Sequence, residues 1–429
     1  MSIRYHQEAQ SSYQDTVYQG YTDIRLGVRK EHTHTTLSAD ELALQRKRYA
    51  HLSDEEFRFM LQQVDGRQRT REKLPSFAAI EDWWYPVRLS CEQCSSEATA
   101  RYKASLLPSQ PFTLVDLTAG YGVDTYFMSE HACQAHYVER NEALCHIAEH
   151  NFAINRPQIH IHHTSAEAYI DQLPALKAQG ATPMVIYIDP ARRDQHGGKV
   201  VRIEDCEPNV IELLPTLSSY AESILIKLSP MLDISAAIKS LGQACEVHIV
   251  AVRNEVKEVV LSIKKAETAT GRIRAINLLS NEQEADYQEW EFTQEEEKKT
   301  QCHVFQRTDS HLLAEGTYVY EPNAAIIKAG AYKLVAQQYQ LCKMGVHTHL
   351  YLSDKWVPDF PGRVWQILST DIKKEKDIRA NILTRNYPLS ADQLRKKLKI
   401  KDSDTHTIIG ARIGDKPTLL LCKKITAVQ

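Results

Sequence analysis

Several things that this 429-residue chain is short of narrow its identity first. No apolar run reaches the ~18–20 residues of a membrane-spanning helix, and the first twenty residues are polar where a secretion signal would be apolar. The chain is therefore expected to work in the cytoplasm. Glycine and proline, at 16 each, are too sparse for collagen-like or long low-complexity stretches. The nine cysteines are odd in number and scattered, which suits a reducing compartment better than a disulfide framework. Positive charge is not in excess either, and a formal net charge of −3 argues against a uniformly basic nucleic-acid coat.

What is there describes a soluble globular protein, with 43% hydrophobic and 25% charged residues and a length that calls for two to four domains. The chain is expected to divide into a helical region over 1–108, a catalytic α/β domain over 109–265, a small α+β module over 266–330 and a C-terminal α+β domain over 331–429. Capping boxes at Ser38-x-x-Glu41 and Ser53-x-x-Glu56 announce two early helices. Ala98, Tyr102, Leu106 and Leu107 predict another from about Gln93 to Leu107. Beyond Phe112, short β-rich runs alternate with amphipathic stretches, the pattern of a parallel sheet covered by helices. Strands are expected at Thr113–Leu117, Ala135–Val138, Gln158–Ile161, Met184–Ile188 and Ser223–Lys227. Glu246–Val252 and Glu258–Ile263, joined by polar Arg253–Lys257, predict an antiparallel hairpin that closes the sheet.

Charge is unevenly distributed. Residues 281–299 hold eight acidic side chains, read as a linker or as a solvated face or loop. Residues 371–429 contain 14 Lys+Arg against 7 Asp+Glu, a net of +7, so the preceding 370 residues carry −10. Arg395, Lys396, Lys397, Lys399 and Lys401 form the candidate polyanion-facing patch, unless they are a solvated helix face.

Three motifs carry the chemistry. Val115-Asp116-Leu117-Thr118-Ala119-Gly120-Tyr121-Gly122-Val123-Asp124-Thr125 is a strand, a glycine turn and a helix start, a pattern that lets backbone approach a ligand closely. The third glycine of a dinucleotide fingerprint is missing. Glu139 follows the second strand, where a carboxylate can accept from both hydroxyls of a ribose. Asp189-Pro190-Ala191-Arg192-Arg193 ends the fourth strand at the same carboxyl edge, where ligands of open α/β sheets gather.

These residues resemble class I S-adenosylmethionine (SAM) dependent methyltransferases, whose Rossmann-like seven-stranded sheet ends in an antiparallel hairpin. More narrowly, Tyr102-Lys103-Ala104, the glycine turn and Asp-Pro-Ala-Arg-Arg resemble the bacterial trimethylguanosine synthase-like (cap guanine-N2 type) group, which carries a C-terminal THUMP-like domain. Tyr320-Glu321-Pro322, Asn386-Tyr387-Pro388 and the basic cluster agree with that architecture, including a ferredoxin-like 266–330 module. The resemblance implies SAM as cofactor, with Asp116, Thr118, Gly120, Gly122 and Asp124 around its methionine part and Glu139 on its ribose. Glu167 stands near the adenine position, where the family often has Asp. Asp189 and the Pro190 carbonyl would orient a nitrogen of a base. Arg192 replaces the family's aromatic and can stack on a base or grip a phosphate, and Arg193 and Lys227 would engage substrate. The implied substrate is RNA, tRNA or rRNA, with Arg395, Lys396 and Lys397 contacting it. Two alternatives remain open, an RNA-binding or assembly factor on the same fold and a methyltransferase of DNA, protein or a small molecule.

Other clusters are weaker. Cys91-x-x-Cys94 lacks the second pair of a zinc site, and His160, His162 and His163 lack a ligand frame, so no metal is expected. Methylation of a pyrimidine carbon usually needs a cysteine nucleophile, for which Cys206 is the nearest candidate in sequence. Trp83-Trp84-Tyr85 reads as an anchor between modules rather than a base-stacking platform.

Overall fold

The computed structural model describes residues 35–180, 182–192, 202–242, 245–265, 271–280, 286–372, 378–403 and 405–425. The chain forms two compact units. The first holds Met1–Gln243, Leu261–Thr268 and Ser280–Ala285, and the second Ala244–Val260, Ala269–Leu279 and Asp286–Gln429.

The first unit is built on parallel strands β1 (Phe112–Asp116), β2 (Ala132–Glu139), β3 (Ile159–His163), β4 (Met184–Ile188) and β7 (Ser223–Leu228), after a short ribbon of β5 (Ala191–Arg192) and β6 (Cys206–Glu207). Their order is β7-β4-β1-β2-β3. Every residue of β1 and β4 is buried, which is why both read as continuous apolar runs. Parallel neighbours need crossovers, and helices such as Val123–Met128 and Glu142–Asn155 supply them. The carboxyl ends of β1, β2 and β4 thereby bring the residues around 117, 139 and 189 to one edge.

Ahead of this sheet, the expected helix over 93–107 starts later, as Glu97–Ser105, and a separate helix, Arg88–Gln93, precedes it. Ser96 is the reason, because its hydroxyl accepts from the Thr99 N–H and starts a new helix. Trp83 and Tyr85 are buried. Trp83 donates to the Tyr121 hydroxyl at 2.8 Å, and half-buried Trp84 stacks on His150, so this aromatic run anchors the helical region to the sheet domain.

In the second unit, β8 (Glu246–Val252) and β9 (Glu255–Lys264) are joined by Arg253 and Asn254 alone, at φ 49° and 67°, a two-residue turn in place of the expected five-residue connection. The last residues of β9 belong to the first unit, beside β7. This hairpin does not end its sheet: β10 (Arg272–Leu278) runs parallel to β8, and β11 (Tyr287–Thr293) antiparallel to β10. From Asp286 on, the acidic stretch is accordingly not a linker but an exposed face, since Glu289 and Glu291 of β11 pair with Arg272 and Arg274. Glu295, Glu296 and Glu297 form the first turn of the helix Gln294–Lys299, where the free N–H groups favour negative charge. Residues expected to make a module of their own over 266–330 are thus divided between these strands and a second sheet.

That second sheet, of mixed direction, completes the unit: β12 (Tyr318–Pro322), β13 (Cys342–Gly345), β14 (Thr348–Ser353), β15 (Gly362–Ser369), β16 (Asn381–Arg385), β17 (His406–Ile413) and β18 (Lys416–Ile425). Their order is β13-β14-β12-β15-β18-β17-β16, around a core that includes Val319, Met344, Trp365, Ile409 and Leu420.

Candidate functional site

The edge where β1, β2 and β4 end opens into a cavity of about 300 Å³ within the first unit, at the lower end of the ~300–1,000 Å³ usual for small-molecule sites. Thr118, Gly120, Gly122 and Asp124 line it from the turn, Glu139 from β2, Glu167 from the segment after β3, and Asp189 from the end of β4. Seven of the residues expected at the site therefore share one space.

The turn has two positive-φ glycines, at 56° for Gly120 and 81° for Gly122. A Cβ at Gly122 would lie 2.6 Å from Phe152 Cζ, so packing demands glycine there. A Cβ at Gly120 would meet nothing nearer than the Thr118 carbonyl at 4.0 Å, so this glycine leaves space on the cavity side. Glu139 is fixed at the rim: Gly120 N–H donates to Oε2 at 2.9 Å and Asn141 N–H to Oε1 at 2.7 Å. Each carboxylate oxygen keeps a second lone pair, the acceptor pair that a ribose diol requires.

Asp116 turns away from the cavity. It is fully buried and accepts from Thr125 Oγ1 at 2.6 Å and Thr118 N–H at 3.1 Å, so it braces the turn from behind. Burial pushes its carboxyl up to about 8 against these hydrogen bonds. Asp189 is held from two sides: its N–H donates to Thr118 Oγ1 at 2.6 Å and its carboxylate pairs with Lys227. Lys227 is thus tied to Asp189 in place of the solvated strand-end position, and Pro190 is buried. Arg192 has its backbone in β5, while Arg193 lies outside the described residues.

The helical region contributes what sequence reasoning missed. Ser90, Gln93, Cys94 and Ser95 line the same cavity. Lys103 is fully buried, with Nζ 3.2 Å from Asp124 Oδ1 and 3.1 Å from Ser95 Oγ, while Ser95 and Tyr187 donate to Asp124 Oδ2 at 2.8 and 2.7 Å. Burial would raise the Asp124 carboxyl, but the Lys103 and Lys227 charges and these hydrogen bonds outweigh it, and the net direction is down. Nothing in the sequence pattern announces a lysine facing inward. The thiol at this cavity is that of Cys94, raised above its usual range chiefly by burial, whereas Cys206 is buried in β6.

Arg395, Lys396 and Lys397 lie in the second unit on the helix Ala391–Leu398, where Arg395 pairs with Asp402 and the two lysines are exposed. Among the described residues no helix is long and apolar enough to cross a membrane.

The residues fit SAM: a tethered carboxylate with acceptors to spare, a glycine turn with room on the ligand side, and a second carboxylate fixed beside it. Comparison with known proteins agrees. Residues 318–361 match a ferredoxin-like domain and 363–424 a THUMP domain-like model. A crystal structure from Porphyromonas gingivalis W83, assigned as a methyltransferase, is 33% identical and superposes with a TM-score of 0.76 over 92% of this chain and 96% of that one. An uncharacterized S-adenosylmethionine-dependent methyltransferase of Mycobacterium tuberculosis H37Rv is 23% identical over 360 residues, 81% of this chain and 90% of the relative. With the donor-site geometry and the whole-length likeness pointing the same way, the chain belongs to the family of SAM-dependent methyltransferases that end in ferredoxin-like and THUMP-like domains.

Proposed function

We propose that this enzyme methylates a nitrogen of a base in tRNA or rRNA, in the manner of the guanine-N2 type that its motifs resemble. The observation that carries the proposal is the fixing of Asp189 between Lys227 and Thr118 at the rim of the donor cavity. When bound, SAM supplies a methyl group on a sulfonium leaving group. The protein's task is then alignment, because a nucleophile held in line needs little further help. Glu139 holds the ribose, the turn from Thr118 to Gly122 receives the methionine part with Asp116 and Asp124 bracing it, and Glu167 borders the adenine. Asp189 and the Pro190 carbonyl accept the N–H groups of the target nitrogen. Arg192 and Arg193 engage the nucleotide around it, and Lys227 acts through Asp189. The THUMP domain-like match and the exposed lysines of the helix Ala391–Leu398 support RNA as the substrate.

Mass spectrometry of nucleosides from tRNA and rRNA of a deletion strain tests this. One methylated nucleoside should disappear and return with the wild-type gene but not with Asp189→Ala. Unchanged nucleosides in both pools, together with methyl transfer to protein or DNA by the purified enzyme, would refute it.

A further inference from the structure

Two motifs that the methyl-transfer site does not use, Tyr320-Glu321-Pro322 and Asn386-Tyr387-Pro388, converge within the second unit. Glu321 stands in β12 opposite Arg363 of β15, and its side chain is 1% exposed. Arg363 donates to its Oε2 through Nε at 2.9 Å and also through Nη2. Nη2 of Arg385, the residue before Asn386, lies 2.6 Å from Oε1. Arg385 ends β16, the outermost strand on one side, whereas β12 is third from the other side. The sheet must curl to bring them together. Asn386 donates to Thr348 Oγ1 of β14 at 3.3 Å, and that hydroxyl donates to the Arg412 carbonyl of β17 at 2.8 Å, across the same seam.

One guanidinium would neutralise a buried carboxylate; this one has two, and the cluster keeps a net charge of +1. Both arginine side chains are 39% exposed. Arg363 lies over the Trp365 ring at 5.3 Å, and Arg385 Nη1 donates to the Thr384 carbonyl at 3.0 Å. Among the described residues, Arg363 commits two of its five N–H groups to hydrogen bonds and Arg385 one, the Arg385 approach to Glu321 Oε1 being an ion pair without hydrogen-bond geometry. Two forks with fixed orientation and surplus donors match the oxygens of a phosphate, and little ordering entropy remains to be lost on binding.

We infer that Arg363 and Arg385 form a phosphate-binding pair for the backbone of the RNA substrate, with Glu321 as the residue that positions both. The inference rests on the RNA reading above. Its test is the affinity of the full-length protein for deproteinised total tRNA and rRNA across a salt series. Arg363→Gln and Arg385→Gln should each weaken binding about tenfold and flatten the log–log salt slope by about 0.9, the share of one phosphate contact. Should either variant unfold, Arg363→Lys and Arg385→Lys keep the charge and lose the fork, and should weaken binding at an unchanged melting temperature. Glu321→Gln separates positioning from charge: it removes a negative charge, so simple attraction predicts tighter binding and a positioned pair predicts weaker. Lysine variants that bind like the wild type, or a tighter-binding Glu321→Gln, would overturn the inference. A wild-type protein that binds neither RNA pool at low salt overturns the RNA reading itself.

Discussion

At Gly122 the backbone sits at φ 81° against the Phe152 ring, 2.6 Å from where a Cβ would stand. The left-handed conformation alone costs about 1–2 kcal/mol for any other residue, before the clash. Gly122→Ala should therefore lower the urea midpoint and weaken S-adenosylhomocysteine binding together. Glu139→Gln separates those effects, since its amide oxygen still accepts one N–H while the second acceptor is lost. Calorimetry should show donor affinity about ten- to hundredfold weaker, the range for a hydrogen bond to a charged group, with a smaller loss of stability than Gly122→Ala causes. Lys227→Met should act on the other side of the reaction. Asp189 would lose its anchor, and kcat should fall about 100-fold with donor affinity little changed, as expected when a reacting group drifts by about an ångström. Equal losses in kcat and donor binding would mean that Lys227 serves the donor site instead.

At the scale of elements, the rim strand β2 carries a pH dependence. His136 faces His160 across the β2–β3 register, with Nδ1 3.0 Å from His162 Nε2 and 2.8 Å from the Tyr169 hydroxyl. Burial, reinforced by the two neighbouring imidazoles, holds His136 down at about 4 and lowers His162 as well. The unfolded chain takes up these protons near pH 6.5, the folded one only near 4 for His136, so stability is present above about 6.5 and is lost as pH falls through that window. Urea midpoints should fall between pH 7 and 4.5, and His136→Gln should reduce the slope. Elements also settle how the basic C-terminus can be tested. β18 lies between β15 and β17, so removing residues 371–429 would strip one of the two partners of β15. Charge reversal at Lys396 and Lys397, both exposed, asks the same question without opening the core.

For the whole molecule, the division of charge is the useful quantity. A +7 segment sits in a chain whose remainder carries −10, so electrostatic attraction to a polyanion should be local. Binding of RNA should weaken steeply with salt, and Lys396→Glu with Lys397→Glu should reduce that slope while leaving S-adenosylhomocysteine affinity intact. A mutant that lost both would place the basic helix in the donor site.

Local chemistry determined much of this protein. Strands β1, β4 and β7 were legible as apolar runs because burial on both faces removes polar alternation, and the gathering of the glycine turn, Glu139 and Asp189 at one cavity was legible because each follows a strand at the carboxyl edge. Periodicity alone did not show that Ser96 delays the start of its helix, and the ion pairs of the exposed acidic stretch were not legible because its partners, Arg272 and Arg274, lie on another strand. The tertiary structure decided the long-range pairings: Lys103 buried on Asp124, Lys227 on Asp189, and Arg363 and Arg385 on Glu321. The reason is physical. A charge enters the interior only where a partner from elsewhere in the chain compensates its lost hydration, and folding alone supplies that partner.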